Sequence, residues 1–369
     1  MHYKRIFTVT LFIVFVSFGH IGVGADFDAL LEQAVADKQA EWEIYEGEIE
    51  RIDTQFEQLW QQRKAEIEQK WKTALRSTNK EWVEYNPSFD ARSSVNFEDG
   101  FVEVTAVVPV KQEDITSYAE DLIGSQIENI FSDNNVSGQN VLKDQAVFNS
   151  NEVVTSENVS SFAETVKKTT KKVGPSFVPK DNIERVAISV RFDLLPNHLE
   201  TRARKYYDIV SEFSSRFKVR PEFILAVIHT ESYFNPLAVS PANAHGLMQL
   251  IPKYGARDAY RKIYQQDKIV APDYLYVPRN NVELGTAYLA LLRDGSFNKI
   301  ENEVQRTYLT ICAYNWGPGS IKRKIIDKYD IDSMAPSQLY QVLRSHTPKE
   351  TSDYLERVTK RMQIYSSNK

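Results

Sequence analysis

The chain has 369 residues, 42% of them hydrophobic, with 45 Lys and Arg against 50 Asp and Glu for a formal charge of −5. That length holds two modest domains or one domain with a large appendage, and the single cysteine, Cys312, excludes an internal disulfide framework. The charge is unevenly divided: residues 197–369 hold 25 Lys and Arg against 18 Asp and Glu, and residues 26–196 hold 18 against 32.

Residues 1–25 read as a secretory signal. Lys4 and Arg5 precede an apolar run from Ile6 to Val16, and small residues follow, ending Val23-Gly24-Ala25. This is the layout a signal peptidase reads, so cleavage after Ala25 and export to the periplasm are expected. Apolar character continues weakly to Val23, which leaves an uncleaved anchor, and association with a membrane or the cell wall, as alternatives. No cysteine lies nearby for a lipid, so a lipoprotein is not expected.

Residues 26–81 predict a long amphipathic helical segment. Trp42, Tyr45, Ile49, Ile52, Phe56 and Leu59 follow the three-four spacing of a coiled-coil seam. Trp60, Ile67 and Trp71 continue the stripe less regularly. Such a face suits self-association, a protein partner, or docking on the rest of the chain.

Residues 82–195 predict a small α+β domain. Glu98-Asp-Gly100 lies between the runs Val95–Phe97 and Phe101–Val108, a strong hairpin signal. A helix is expected from Asp114 to Phe131, with Ile115, Tyr118, Leu122 and Ile130 apolar, and Val186–Phe192 alternates as a strand does. Lys167, Lys168, Lys171 and Lys172 form a basic knot that reads as a solvated face.

From Pro196 onward the pattern is helical. Tyr206, Ile209, Val210, Phe213 and Phe217 mark a first amphipathic helix. A second starts at Pro221, whose missing N–H is no loss in a first turn, and must stop before Pro236. Ile224, Val227 and Ile228 fall on one buried face, and Glu231 continues it. A desolvated carboxyl favours its protonated form, as a general acid near neutral pH requires; a structural carboxyl fits the position equally well. A short helix is expected to open at Gly246–Leu250, with others at Asn281–Leu292 and Tyr308–Asn315, the last stopped by Gly317-Pro-Gly319. Leu339–Leu343 and Tyr354–Met362 complete the domain. The basic half suits an anionic polymer, or equally a mixed solvated surface. His198, His229, His245 and His346 lack ligand spacing, so no metal is expected.

Four stretches taken together, Glu231-Ser-Tyr-Phe-Asn-Pro-Leu-Ala-Val-Ser240, Gly246-Leu-Met-Gln249, Asn281-Val-Glu-Leu-Gly-Thr-Ala-Tyr-Leu289 and Ala313-Tyr-Asn-Trp-Gly317, resemble the soluble-lytic-transglycosylase-like family of bacterial lytic murein transglycosylases. The segments Leu195–Tyr206 and Val95–Gly100 look like a member of that group with a non-catalytic N-terminal domain ahead of the catalytic one. The resemblance implies a mostly α, lysozyme-like catalytic domain over residues 196–369 behind the α+β domain. Residues 26–80 have no counterpart in it.

Residue by residue, the resemblance implies Glu231 as the catalytic acid and base. Ser240 and Gln249 would line the sugar groove, with Gly246 permitting close backbone approach beside them. Met248 would floor the groove, although a thioether there also suits a core filler. Tyr314 and Asn315 match the Ala-Tyr-Asn motif, and Glu350 and Tyr354 a late motif that closes the active-site side. Tyr254, Trp316 and Ser352 depart from the family's usual residues. The implied substrate is the glycan strand of peptidoglycan, cut at the β-1,4 bond between N-acetylmuramic acid and N-acetylglucosamine without water to give 1,6-anhydromuramic products. No cofactor and no nucleic acid are expected. Two alternatives stay open: a goose-type-lysozyme-like hydrolase on the same fold, and a non-catalytic periplasmic scaffold. A chain starting near Pro196 is expected to retain cleavage of soluble fragments.

Overall fold

The computed structural model describes residues 54–55, 57–132, 142–148 and 152–366, together with Gln33, Gly47 and Arg51. The expected signal segment and Trp42, Tyr45, Ile49, Ile52 and Phe56 of the expected seam lie outside the described residues. Residues 57–67 are helical (α1), so the helical segment expected to run to residue 81 stops at 67, residues 68–80 are turns and irregular backbone, and Glu81 already belongs to a strand. Just beyond α1 the apolar stripe docks on its own domain, where Ile67 and Trp71 are buried against Tyr85 and Val107. The Trp71 indole N–H donates to the Phe89 carbonyl at 2.7 Å, whereas Leu59 is exposed.

The strands β1 (Glu81–Tyr85), β2 (Ala91–Asn96) and β3 (Phe101–Pro109) form a meander. The helix α2 (Ile115–Phe131), a separate ribbon of β4 (Val147–Phe148) and β5 (Glu152–Val153), the helix α3 (Val159–Lys167), and then β6 (Lys172–Val173) and β7 (Arg185–Asp193) follow. The main sheet is antiparallel in the order β1-β2-β3-β7-β6, with Phe101 to Pro109 paired along Asp193 to Arg185. The expected hairpin is present. Asn96 faces Phe101, the Asn96 side chain accepts from the Glu98 and Asp99 amides, and Gly100 supplies a φ of +70° at the turn.

The helix α2 begins one residue later than expected, because the Asp114 carboxylate caps it by accepting from the Ser117 N–H at 3.0 Å. Its buried face also differs. Ala119, Ile123, Ile127, Ile130 and Phe131 face the sheet, whereas Tyr118 is 39% exposed and Leu122 sits at the edge. On this side Gly124 leaves room for the Lys167 side chain of α3, so the helix is held between the sheet and α3 with Tyr118 turned outward. The basic knot is a paired surface: Lys167 lies 2.6 Å from Glu164, and Lys171 lies 2.8 Å from Glu120.

The rest is helical, with α4 (His198–Arg204), α5 (Tyr207–Phe217), α6 (Pro221–Ser232), α7 (Arg257–Tyr264), α8 (Pro272–Tyr276), α9 (Pro278–Leu291), α10 (Glu303–Trp316), α11 (Pro318–Ile321), α12 (Pro336–His346) and α13 (Lys349–Ser366). Proline opens α6, α8, α9, α11 and α12, which fixes each start where an N–H needs no partner. The α6 helix is apolar all round from Phe223 to Ile228, as befits the central helix of a core. The fold class is the expected one, an α+β N-terminal part followed by a mostly α part.

One expected helix is absent. Residues 246–249 form turns closed by a bridge between His245 and Leu250. Gly246 at φ +76° and Gln249 at φ +47° lie in the left-handed region, where a right-handed helix cannot continue.

Candidate active site

The core helix α6 delivers Glu231 in its last turn, half-buried beside α10 and α13. The helix ends sharply: Tyr233 and Phe234 both take positive φ, +50° and +60°. The Tyr233 N–H returns to the His229 carbonyl, and the Ser232 hydroxyl lies 2.7 Å from the Leu247 carbonyl. That last contact ties the acid-bearing turn to the loop of Gly246–Gln249.

From α13, the Tyr354 hydroxyl donates to Glu231 Oε1 at 2.6 Å. Burial pushes the Glu231 carboxyl up to about 7; the Tyr354 hydrogen bond and the charge of Arg357 pull it back down, and Glu350 adds a small push upward. Tyr314, on α10, donates to the Met248 carbonyl at 2.7 Å. Burial, reinforced by the charge of Glu231, holds the phenols of Tyr314 and Tyr354 well above their ordinary range, so both are neutral donors. Removing one donor has a predictable sign. Tyr354→Phe takes away an interaction that favours the carboxylate, so the Glu231 pKa rises beyond about 7. The alkaline limb of kcat/KM should move to higher pH, with turnover down about tenfold, in a pH profile on a soluble glycan fragment.

The other expected residues divide. Ser240 uses its hydroxyl to accept the Ala242 and Ala244 amides, at 3.2 and 3.1 Å, and so shapes its loop. Gln249 donates to the Ala238 and Gly246 carbonyls, and its own Oε1 is buried without a donor. Met248 has no exposed surface; its sulfur packs toward Gly285, so its side chain fills the core and only its carbonyl reaches Tyr314. Gly246 is required for internal packing, since a Cβ there would lie 2.3 Å from the Leu275 carbonyl and 2.3 Å from the Asn281 amide. Asn315 accepts from the Thr351 hydroxyl at 2.7 Å, fastening the end of α10 to the start of α13. Glu350 is exposed in the first turn of α13.

Two contributors had no expected role. Arg357 sits three residues after Tyr354 on the same helix face, a spacing that was readable. Asn281 is fully buried on α9; it donates to the His245 and Leu275 carbonyls and accepts the Met248 N–H, all within 2.9 Å. A polar residue among the apolar positions of its helix was its signal. Asn281→Ala strands three buried backbone groups, each costing about 1–3 kcal/mol, and urea unfolding should show a loss of at least about 3 kcal/mol.

Among the described residues no group of three or more His, Cys, Asp or Glu is placed to hold a metal. His229 and His245 are held neutral, pushed down to about 3 and about 4 by burial and then by Arg361 and Arg76 respectively.

The Transglycosylase SLT domain family matches residues 208–334, and the family described as "Membrane-bound lytic murein transglycosylase C, N-terminal domain" matches residues 49–205, so residues 49–80, expected to have no counterpart, do have one. The membrane-bound lytic murein transglycosylase C of Salmonella arizonae is 33% identical over 316 residues, covering 81% of this chain and 86% of that protein. Its counterpart in Klebsiella pneumoniae is 33% identical, covering 78% and 82%; that of Actinobacillus succinogenes is 32% identical, covering 81% and 86%. Among solved structures, the 70 kDa soluble lytic transglycosylase of Escherichia coli aligns at 25% identity over 46% of this chain and 25% of that one, with a TM-score of 0.37. With one-third identity along most of both sequences, and family matches to an N-terminal and a catalytic part in that order, this chain is a lytic murein transglycosylase and belongs to the family of membrane-bound lytic murein transglycosylase C.

Proposed function

We propose that the chain cleaves the β-1,4 bond between N-acetylmuramic acid and N-acetylglucosamine in peptidoglycan without water, with Glu231 as acid and then base. The observation that carries this is the state of Glu231. Its carboxyl is raised to about 7, and its hydrogen bond comes from a hydroxyl, not from a second carboxyl. Ordinary glycosidases divide acid and base between two carboxylates; here one group has to serve twice. The Tyr354 hydroxyl occupies Oε1, which leaves Oε2 to carry the proton to the glycosidic oxygen. Once that proton has left, the same hydroxyl stabilises the carboxylate. The 2-acetamido group of the substrate can stabilise the developing cation, as in the substrate-assisted exceptions to the two-carboxylate rule. Glu231 then accepts the proton of the muramic C6 hydroxyl as the 1,6-anhydro ring closes.

Gln249 fixes the loop beside Glu231 by donating to the Ala238 and Gly246 carbonyls. Ser240, Tyr314 and Asn315 act by shaping the groove around it, and placement of this kind is worth several kcal/mol of barrier. In this reading residues 196–369 carry catalysis behind the α+β domain of residues 82–195. Export to the periplasm rests on the signal-like residues 1–25, and attachment of a partner or a second copy on the seam of residues 26–80. No helix among the described residues is long and apolar enough to cross a membrane.

Digestion of purified peptidoglycan followed by mass analysis of the muropeptides tests the reaction. Anhydro products are expected. Products heavier by one water would assign the site to a hydrolase, and no products at all would leave only a scaffold.

A further inference from the structure

We infer that the β2–β3 hairpin of the N-terminal sheet positions Glu231, through a bridge from Glu98 to Tyr233 and Arg361 and a clamp by Arg202. This rests on Glu231 being the acid and base.

Tyr233 lies two residues after Glu231, yet its ring is buried in the apolar cluster of the N-terminal domain with Val95 and Phe97. Its hydroxyl donates to Glu98 Oε1 at 2.6 Å and accepts from Arg361 Nη2 at 3.1 Å. Glu98 is held in turn by Lys80 at 2.5 Å. Arg361 stands seven residues after Tyr354 on α13, two turns along the same face. The end of α6 and the helix that supplies the partner of Glu231 are therefore fastened at two points, one at the carboxyl itself and one at Tyr233.

Arg202 secures the same end from the other side. Its buried guanidinium donates to the carbonyls of Tyr233 and Phe234, both at 2.9 Å, and to Gln145 Oε1 at 3.3 Å. Its Cζ lies over the ring of Phe97, 3.6 Å from the centroid. Carbonyls at a helix C-terminus have no partner within the helix, and a cation there also complements the helix dipole. Phe97 and Glu98 are consecutive, so one hairpin loop supplies both the platform for Arg202 and the acceptor for Tyr233. Two bulky residues with positive φ in succession, Tyr233 and Phe234, are a conformation that persists only where surrounding contacts impose it. The hairpin and Arg202 are those contacts.

Glu98, Tyr233, Arg361 and Arg202 are thus positioning residues. The groups that act on the Glu231 carboxyl directly are Tyr354, Arg357 and Glu350 from α13, with Tyr314 facing it from α10. The hairpin acts on it through the course of the backbone.

The test uses the full chain with Glu98→Ala, Glu98→Gln and Tyr233→Phe, each with its melting temperature recorded. Turnover, KM and pH profile are measured on a soluble glycan-peptide fragment, and product masses in the same assay. Glu98→Ala and Tyr233→Phe should each lower kcat about tenfold, with KM within about twofold, and move the alkaline limb. Glu98→Gln, whose amide oxygen can still accept from Tyr233, should recover most of the loss. Tyr233→Phe keeps the buried ring, so it reports on the bridge even where Glu98→Ala fails to fold. Unchanged kcat and limb in the folded variants, including a lowered melting temperature with no kinetic change, would overturn the inference. Hydrated products from the unaltered enzyme would overturn the proposed reaction and leave the positioning result to stand by itself.

Discussion

Glu231→Gln is expected to lower turnover on peptidoglycan by about 10²- to 10⁴-fold, the range a positioned acid and base supplies, while leaving the fold intact. The amide matches the carboxyl in shape, and its oxygen can still accept from the Tyr354 hydroxyl now 2.6 Å from Oε1. It has no proton to give to the glycosidic oxygen and no basicity with which to take one from the C6 hydroxyl. In the proposed reaction one group serves both steps, so the loss should not be rescued at any pH, unlike that of Tyr354→Phe, which shifts a limb. Release of anhydro-ended fragments from purified peptidoglycan, normalised to folded protein by circular dichroism, is the measurement. Full turnover would remove Glu231 from the chemistry.

Much of this site was legible because its signals are local. Pro221 and Pro236 bracket α6 and its apolar run marks a core helix, although that helix is buried all round and not on the single face expected, with Glu231 in the last turn keeping partial exposure. The hairpin was legible for the same reason, since Asp99-Gly100 between two strand-like runs has few other solutions. What was not legible depends on residues far apart. The helix expected at Gly246–Leu250 gives way to turns because Gly246 must pass within reach of the Leu275 carbonyl and Asn281, roughly thirty positions on. Met248 fills the core because Gly285 on α9 leaves it room. Tyr118 and Leu122 had the right period for α2, but the side carrying Ile123, Ile127, Ile130 and Phe131 is the one that is buried.

The same distance limits the expectation that a chain starting near Pro196 cleaves unaided. Such a chain keeps Glu231, Gln249, Tyr314 and Tyr354 and loses Phe97, Glu98 and Gln145, the partners of Arg202 and Tyr233. No motif within residues 196–369 announces those partners, because Tyr233 reads as one more aromatic residue after the acid. The structure therefore favours weakened cleavage by the shortened chain over the unaided activity that the motifs alone imply.

Glu231→Gln should also stabilise the protein, and only above a defined pH. The Glu231 carboxyl has an ordinary value of 4.5 and a folded value of about 7. Between those limits the folded state holds a proton that the unfolded state has released, so stability falls as pH rises from about 4.5 to about 7 and is level beyond. The shift corresponds to about 3 kcal/mol at 1.36 kcal/mol per unit, and partial exposure of the side chain reduces the expected effect to about 2 kcal/mol. Glutamine does not titrate. The variant and the unaltered chain should therefore melt together at pH 4 and separate at pH 8, with the variant higher by roughly 5 °C for a part of this size. Parallel melting temperatures across that range would mean that the carboxyl is not desolvated in the folded state, and the reading of Glu231 as an acid poised near neutrality would fall with it. An enzyme that tolerates this cost keeps a less stable carboxyl for what only a proton donor can do.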